Sequence, residues 1–300
     1  MINPLTNRQQ PEKSDEILIS QAIEGDRKSL EELILKHQAW IYNIVLRMVF
    51  NPHDAEDITQ EVFIKLLTKL STFKGKSSFR TWAYRIATNH VINMKKSRAE
   101  QKVFSFDEYW KGINSAPDAD LPDQKSIPVD LKLIVEETKI HCLMALLLCL
   151  DREKRLIFIL GEMLGLNSTI GSKILEISKD NYRQKLSRAR KKVYAFLKDN
   201  CGLINKSNPC HCEKKTKALI DSGIIDPNNL QFNKNYSIKG YPLLEKKYYR
   251  LHNALDKKCQ QVIRELPFQK PPDYVNTVRE ILQSIEFKNI LDFTGQSNSS

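Results

Sequence analysis

The stretch from Asp54 to Lys96 constrains this chain more than any other, because it holds two runs of helical periodicity separated by a short basic break. Ile58, Val62, Phe63, Leu66, Leu67 and Leu70 recur at intervals of three and four residues and predict the apolar face of a first helix. Asp54 follows Asn51-Pro52-His53 and is placed to cap that helix. Glu56, Asp57 and Glu61 load its N-terminal half with negative charge, where the helix dipole favours it. Phe73-Lys74-Gly75-Lys76-Ser77 breaks the period, and Ser77 or Ser78 caps the second helix. Phe79, Trp82, Ala83 and Ile86 are expected to bury one side of it. Arg80, Tyr84, Arg85, Thr88, Asn89, Asn93, Lys95 and Lys96 are left for the other.

The preceding chain supplies further helices. Residues 1–13 are polar with two prolines and read as disordered. Ser14 caps a short helix that ends at Gly25, and Asp26 caps a longer one. Leu30, Leu33, Ile34, His37, Trp40, Ile41, Ile44, Val45 and Met48 keep the helical period there. His37 has an apolar stripe around it and no partner in view, so it reads as a core or surface histidine rather than a ligand. With the hairpin at 54–96, these helices make one α-helical domain over residues 14–98.

An exposed face that mixes aromatic, amide and basic groups suits unpaired nucleic acid, because bases stack on aromatics and cations neutralise phosphates. An ordinary helical hairpin with a solvated charged side would share that composition, and the order of residues separates the two. Asp-Ala-Glu-Asp, Gln-Glu-Val-Phe and then Phe-x-Gly-x-Ser-Ser-Phe-Arg-Thr-Trp-x-Tyr-Arg-Ile-Ala closely resembles region 2 of sigma-70 family factors, in the extracytoplasmic function (ECF) group. The resemblance implies that the acidic helix, with Asp54, Glu56, Asp57, Gln60 and Glu61, docks on the clamp of core RNA polymerase. It also implies that Lys74, Lys76, Arg80, Trp82, Tyr84, Arg85, Thr88, Asn89, Asn93, Lys95 and Lys96 capture the promoter −10 element.

From Ser97 to Pro128 the periodicity dissolves into linker composition, with Gly112, Pro117, Pro122 and Pro128 among several aspartates. In the resembling family this linker threads the polymerase active-site channel, where its negative charge can mimic nucleic acid; a soluble tether accounts for the composition equally well. Periodicity resumes at Leu131, and Asp151 caps the next helical run. Cys142 and Cys149, seven apart on one helix face, read as buried structural thiols.

Residues 168–197 read as a helix, a tight turn and a second helix capped by Ser178. Tyr182, Leu186, Ala189, Val193 and Phe196 or Leu197 form the buried stripe. Lys179, Asn181, Arg183, Gln184, Ser187, Arg188 and Lys191 surround it, a set equipped for major-groove base edges and flanking phosphates. Ile-Ser followed by Leu-Ser-Arg-Ala-Arg-Lys-Lys-Val is similar to the end of sigma region 4, which implies −35 recognition by those residues. Glu176 departs from the resembling pattern by standing where a turn glycine is common, so the turn must avoid positive φ or carry slight strain. Ile170 and Lys173 occupy commonly acidic positions, which bears on which −35 sequence is read.

Beyond Asn200 comes CGLINKSNPCHC, then Lys214, Lys215 and Lys217. Cys201, Cys210, His211 and Cys212 are residue types that ligate zinc, but 210–212 are crowded for simultaneous ligation and the common Cys-x₂-Cys spacing is absent. Reduced, exposed thiols are the preferred reading, biased toward thiolate by Lys206, Lys214 and Lys215. No cofactor is expected. Cys259 is isolated and reads as structural. Leu244, Tyr248, Leu251, Leu255, Val262 and Leu266 predict one further amphipathic helix. Tyr274, Val278, Ile281, Leu282 and Ile285 predict another, entered through Pro271-Pro272, with a mobile GQSNSS tail. Two such helices must pair with each other, dock on the preceding domains or bind another protein.

The fold class expected is therefore all-α: a sigma region 2 bundle (14–98), a flexible linker (99–130), a region 4 helix-turn-helix (131–200) and a helical C-terminal extension (201–300). The net charge of +11 favours polyanionic partners. Six cysteines in a chain this long make no disulfide scaffold. The longest apolar run, Cys142 to Leu150, is too short for a membrane span, and the N-terminus lacks a signal pattern, which points to the cytoplasm. No paired carboxylates, nucleophile–base set or glycine-rich phosphate loop argue for an enzyme. Core RNA polymerase and promoter DNA are the partners implied, and an anti-sigma factor is compatible with the resemblance. A free-standing helix-turn-helix regulator would account for residues 168–197 but leave the acidic helix without a role.

Overall fold

In the computed structural model the described residues are 14–94, 100, 105–120, 131–232 and 254–283. Residues 1–13, Lys95, Lys96, Pro122, Pro128, Leu244, Tyr248, Leu251, Ile285 and the GQSNSS tail lie outside them, and so do the expectations placed there. The named elements are all helical.

The first three helices are α1 (Asp15–Ile23), α2 (Arg27–Val49) and α3 (Pro52–Thr68). Ser14 and Asp26 cap α1 and α2 as expected. The cap of α3 differs: Asn51 accepts from the Asp54 amide at 3.0 Å, and Pro52 fills the first turn, where a missing N–H costs nothing. Every residue from Trp40 to Val49 is buried, so the second half of α2 has no solvent face. A helix buried all round sits at the centre of its fold, and α2 packs against α1, α3 and elements from both later parts of the chain. His37 is a core residue, but it has a partner after all: its Nε2 lies 3.2 Å from Asp15 Oδ2 on α1.

A 3₁₀ turn (Leu70–Thr72) leads to α4 (Phe79–Asn93), capped by Ser78. The stretch read as featureless linker contains a helix, α5 (Phe106–Ser115), begun by a reciprocal capping box between Ser105 and Glu108. Its aromatic side chains secure it: Phe106, Tyr109 and Trp110 pack on Phe196, and the Tyr109 hydroxyl donates to the Cys142 carbonyl at 2.9 Å.

The next helices are α6 (Leu131–Leu148) and α7 (Arg152–Phe158), the latter running into a π-helical turn (Ile159–Met163). Then come α8 (Ser168–Leu175), α9 (Lys179–Asn200), α10 (Cys212–Asp221), α11 (Ala254–Arg264) and α12 (Tyr274–Gln283). One continuous apolar cluster takes members from Leu18 on α1, through Leu197 on α9, to Val278 on α12.

Polar joints hold that cluster in register. Arg155 on α7 is 2% exposed, and its guanidinium donates to the carbonyls of Met48, Leu147 and Leu150 and to Glu100 Oε1. Arg152 grips the same carboxylate through two nitrogens, at 2.8 and 2.6 Å, and donates to the Ile92 and Met94 carbonyls at the end of α4. Glu100, itself 2% exposed, is thereby the buried counter-ion that ties α2 and α4 to α6 and α7. Removing one partner of a buried ion pair leaves a desolvated charge, at a cost of ~3–5 kcal/mol. Glu100→Ala and Arg155→Met should each lower unfolding free energy by about that amount in urea titrations; a loss under ~1 kcal/mol would mean that this joint is peripheral.

Candidate nucleic-acid interface

Helix α4 buries Phe79, Ala83, Tyr84, Ala87, Thr88 and Val91. Tyr84 and Thr88, expected on the exposed side, have no solvent exposure and belong to the core. The reason is double coverage: α2 and α3 pack on one flank of α4, and α7 and α8 pack on another. A helix covered from two sides buries a stripe two residues wide at each turn. Conversely Trp82 and Ile86, expected inside, are only half-buried. Trp82 packs with tilted ring geometry against both Phe73 and Phe79, at centroid distances of 5.5 Å.

The outward line of α4 is Arg85, Asn89 and Asn93, with Asn89 and Asn93 exposed and Arg85 half-buried. Arg80 is half-buried beside it. Lys74 and Lys76 are exposed on the preceding loop. Gly75 between them has φ +66 with open space around the missing Cβ, so only its backbone angle calls for glycine. Arg85 is already engaged: its Nη1 pairs with Glu176 Oε1 at 2.9 Å and its Nη2 donates to the Lys173 carbonyl at 2.9 Å. No local sequence signal marks that contact, since its partners are far along the chain.

On α3, Glu56, Asp57 and Glu61 are exposed, and Asp54 and Gln60 are half-buried. Asp57 lies 3.4 Å from His53, and Glu61 lies 2.9 Å from His90 on α4. They form an acidic edge beside the basic and amide line of α4.

The second element follows its expected pattern. Ser178 caps α9, and Tyr182, Leu186, Ala189, Val193, Phe196 and Leu197 are buried. Lys179, Arg183, Gln184, Ser187, Arg188 and Lys191 are exposed, with Asn181 half-buried. Arg183 is steadied by Asp180 at 3.1 Å and by the Ser168 hydroxyl at 3.2 Å, while Gln184, Ser187, Arg188 and Lys191 share one face. Glu176 takes the left-handed conformation (φ 55, ψ 37), so the turn carries the strain that glycine would avoid, ~1 kcal/mol. Gly171 on α8 is required by close approach, because a Cβ there would lie 2.4 Å from the Tyr182 ring.

The cysteine segment is enclosed rather than exposed. Cys142, Cys201, Cys210 and Cys212 line one small cavity covered by Trp110 and Ile113 of α5, and all are free thiols. Burial pushes Cys210 up to about 11 and Cys212 up to about 12, outweighing the lysines Lys215 and Lys139 near them. The expected bias toward thiolate is thus reversed. Lys214 and Lys215 are turned instead to Asp120 and Asp118. Among the described residues, no group of three or more His, Cys, Asp or Glu is placed to hold a metal ion. Cys149 and Cys259 are raised by burial as well, to about 11 and about 12.

This geometry coincides with a known family model. Residues 33–101 match Sigma-70 region 2, from the first third of α2 through α4 and past the buried Glu100. The RNA polymerase sigma-H factor of Pseudomonas aeruginosa is 26% identical over 187 residues, covering 61% of this chain and 93% of that protein. The ECF RNA polymerase sigma-E factor of Escherichia coli K12 is 27% identical over 185 residues, covering 60% and 92%. The ECF RNA polymerase sigma factor SigW of Bacillus subtilis is 25% identical over 186 residues, covering 60% and 95%. This chain belongs to the sigma-70 family, in its ECF group. The solved structure of CnrH in complex with the cytosolic domain of CnrY covers 61% of this sigma factor and 96% of that chain, at 20% identity and a TM-score of 0.44.

Within the sigma factor, the acidic edge of α3 and the amide line of α4 both fall inside the region 2 match. No helix among the described residues is long and apolar enough to cross a membrane. The thiols generate a direct test. With burial raising the Cys210 and Cys212 thiols to about 11 and about 12, iodoacetamide at pH 8 should alkylate them ~100-fold more slowly in the native sigma factor than in urea, since only thiolate reacts. Equal rates by mass spectrometry would place them at the surface.

Proposed function

We propose that this sigma factor binds core RNA polymerase through the acidic edge of α3 (Asp54, Glu56, Asp57, Gln60, Glu61) and carries it to promoter DNA. Residues 131–200 act as region 4, with α9 entering the major groove at −35. Lys74, Lys76, Arg80, Trp82, Arg85, Asn89 and Asn93 receive the opened −10 strand; Tyr84 and Thr88 serve the core instead. The observation that carries this reading is the region 2 match over residues 33–101, which includes both the acidic edge and the exposed line of α4.

The physical mechanism is a population shift. An unpaired strand offers base faces to Trp82 and base edges to Asn89 and Asn93 that a closed duplex does not. Binding therefore favours the melted state by the free energy of those contacts, ~1–3 kcal/mol per stacked base. Arg and Lys on α9 anchor the duplex by phosphate neutralisation, and Gln184 and Arg188 are suited to base edges. The polymerase makes the RNA, and the sigma factor supplies no catalytic group. Core polymerase binding without DNA distinguishes this reading from a free-standing helix-turn-helix regulator.

Three variants test the assignment in reconstituted transcription with mapped start sites. Asp57→Lys with Glu61→Lys should weaken core binding while leaving the fold intact, because exposed helix charges affect stability by under ~1 kcal/mol; undiminished capture of core by the folded double variant would refute the docking edge. Arg188→Ala should lower −35-dependent initiation by ~1–3 kcal/mol if its contact is bidentate. It is a cleaner probe than Arg183, which Asp180 already engages. Asn89→Ala with Asn93→Ala should reduce permanganate reactivity of −10 thymines, and parental reactivity would remove α4 from strand capture.

A further inference from the structure

Residues 254–279 touch both halves of the molecule through different chemistry. Toward the region 2 side, the chain after α11 lies along α2. The Asn43 amide donates to the Gln269 carbonyl at 2.7 Å and accepts from the Gln269 amide at 2.8 Å. Arg47 donates to the Pro267 carbonyl at 2.9 Å, and Phe268 sits between the Trp40 ring and the Arg47 guanidinium at 5.2 and 5.5 Å. Tyr274 then fills the notch between α2 and α3, its ring 6.3 Å from Tyr42 and 5.4 Å from Phe63. Its hydroxyl is 3.5 Å from the Glu56 carbonyl, at the flank of the acidic edge. Arg279 closes this half on Glu31 at 2.8 Å.

Toward the second half, α11 docks on the π-helical turn. Glu162, fully buried there, accepts from Gln260 at 2.7 Å, from Tyr194 at 2.8 Å and from Arg190, while Arg264 donates to its carbonyl at 2.9 Å. Asp256 pairs with Lys198 on α9. The same short segment is therefore bonded to α2 and α3 at one end and to the π turn and α9 at the other.

The state so held cannot be the one that reads a promoter. Elements near −10 and −35 are separated by ~25 base pairs, or ~85 Å of duplex at ~3.4 Å per pair. In this structure Arg85 of the −10 line is within hydrogen-bond distance of Lys173 and Glu176, in the helix and turn that precede α9. We propose that residues 254–279 are an intrachain clasp, which occupies the α2–α3 notch beside the polymerase-docking edge and, together with the Glu100–Arg152–Arg155 joint, holds the two DNA-reading modules shut until it is displaced. The inference rests on the functional reading above for what is being shut, but not for the closure itself. Asn43 and Arg47 suit an exchangeable occupant, since they read backbone groups of the clasp.

The test uses the full-length chain. Phe268→Ala with Tyr274→Ala removes the apolar anchors at one end; Gln260→Ala with Arg264→Ala loosens the other end and serves as the milder pair if the first loses helical signal. Small-angle scattering reads module separation, and fluorescence anisotropy with core polymerase reads affinity. Each folded variant should show a larger radius of gyration than the parent and bind core at least 10-fold more tightly. A parental radius, or a larger radius with parental affinity, overturns the clasp. If neither parent nor variant binds core at all, the polymerase reading fails, while the scattering result still decides whether the segment holds the modules together.

Discussion

The buried carboxylate of Glu100, shared between Arg152 and Arg155, is the joint on which the arrangement of this molecule depends. It is a charge-assisted bond in a desolvated place, where geometry must be near ideal for attraction to offset the loss of hydration. Here it is: Arg152 meets both oxygens, and the remaining guanidinium donors of the pair find helix-terminal carbonyls on α2, α4 and α6. Those carbonyls lack intrahelical partners by virtue of their position near helix ends. The two arginines thus cap three helices and fix their mutual registry in one step, which apolar contacts alone, being non-directional, do not do.

The same device recurs elsewhere. Glu162 on the π turn gathers α9 and α11, and Glu137 on α6 accepts the Gln231 and Phe232 amides at 2.7 and 2.9 Å to hold the chain that follows α10. Asn43 and Arg47 do it on α2 for the segment after α11. A helix buried on all sides can carry such groups only if each is satisfied. Contacts made through polar groups of this kind set a single alignment between helices. They also release more readily than an apolar seam, since each group can turn to water or to another partner.

The surface proposed for function is what remains after that packing. On α4 the double cover leaves a narrow line, Arg85, Asn89 and Asn93, rather than the broad face a two-helix hairpin would show. On α9 cover comes from one side, and a full basic face stays open. The acidic edge of α3 stays open too, with the Tyr274 hydroxyl at its flank. Charge of opposite sign on adjacent helices suits the roles proposed for them, a protein partner at one edge and a nucleic acid at the other.

The sequence by itself determined most of the helices and several of their starts, though neither α5 nor α10. Ser14, Asp26, Ser78, Asp151 and Ser178 each cap a helix through a bond made within three residues, so local order is enough to find them. The buried stripe of α9 was legible for the same reason, because one covering surface leaves a clean helical period. The order of residues at 54–87 also carried the family. Tertiary structure decided the rest. Tyr84 and Thr88 went inward because α4 is covered twice, which no periodicity within α4 encodes. The thiols of Cys210 and Cys212 lost their expected reactivity because α5, from a stretch of linker composition, closes over them. Arg85 met Glu176, and Asn43 met Gln269, across separations where only the folded chain brings the partners together. Local bonds are written in local sequence; long-range burial and pairing depend on which surfaces meet, and that is settled by the whole core at once.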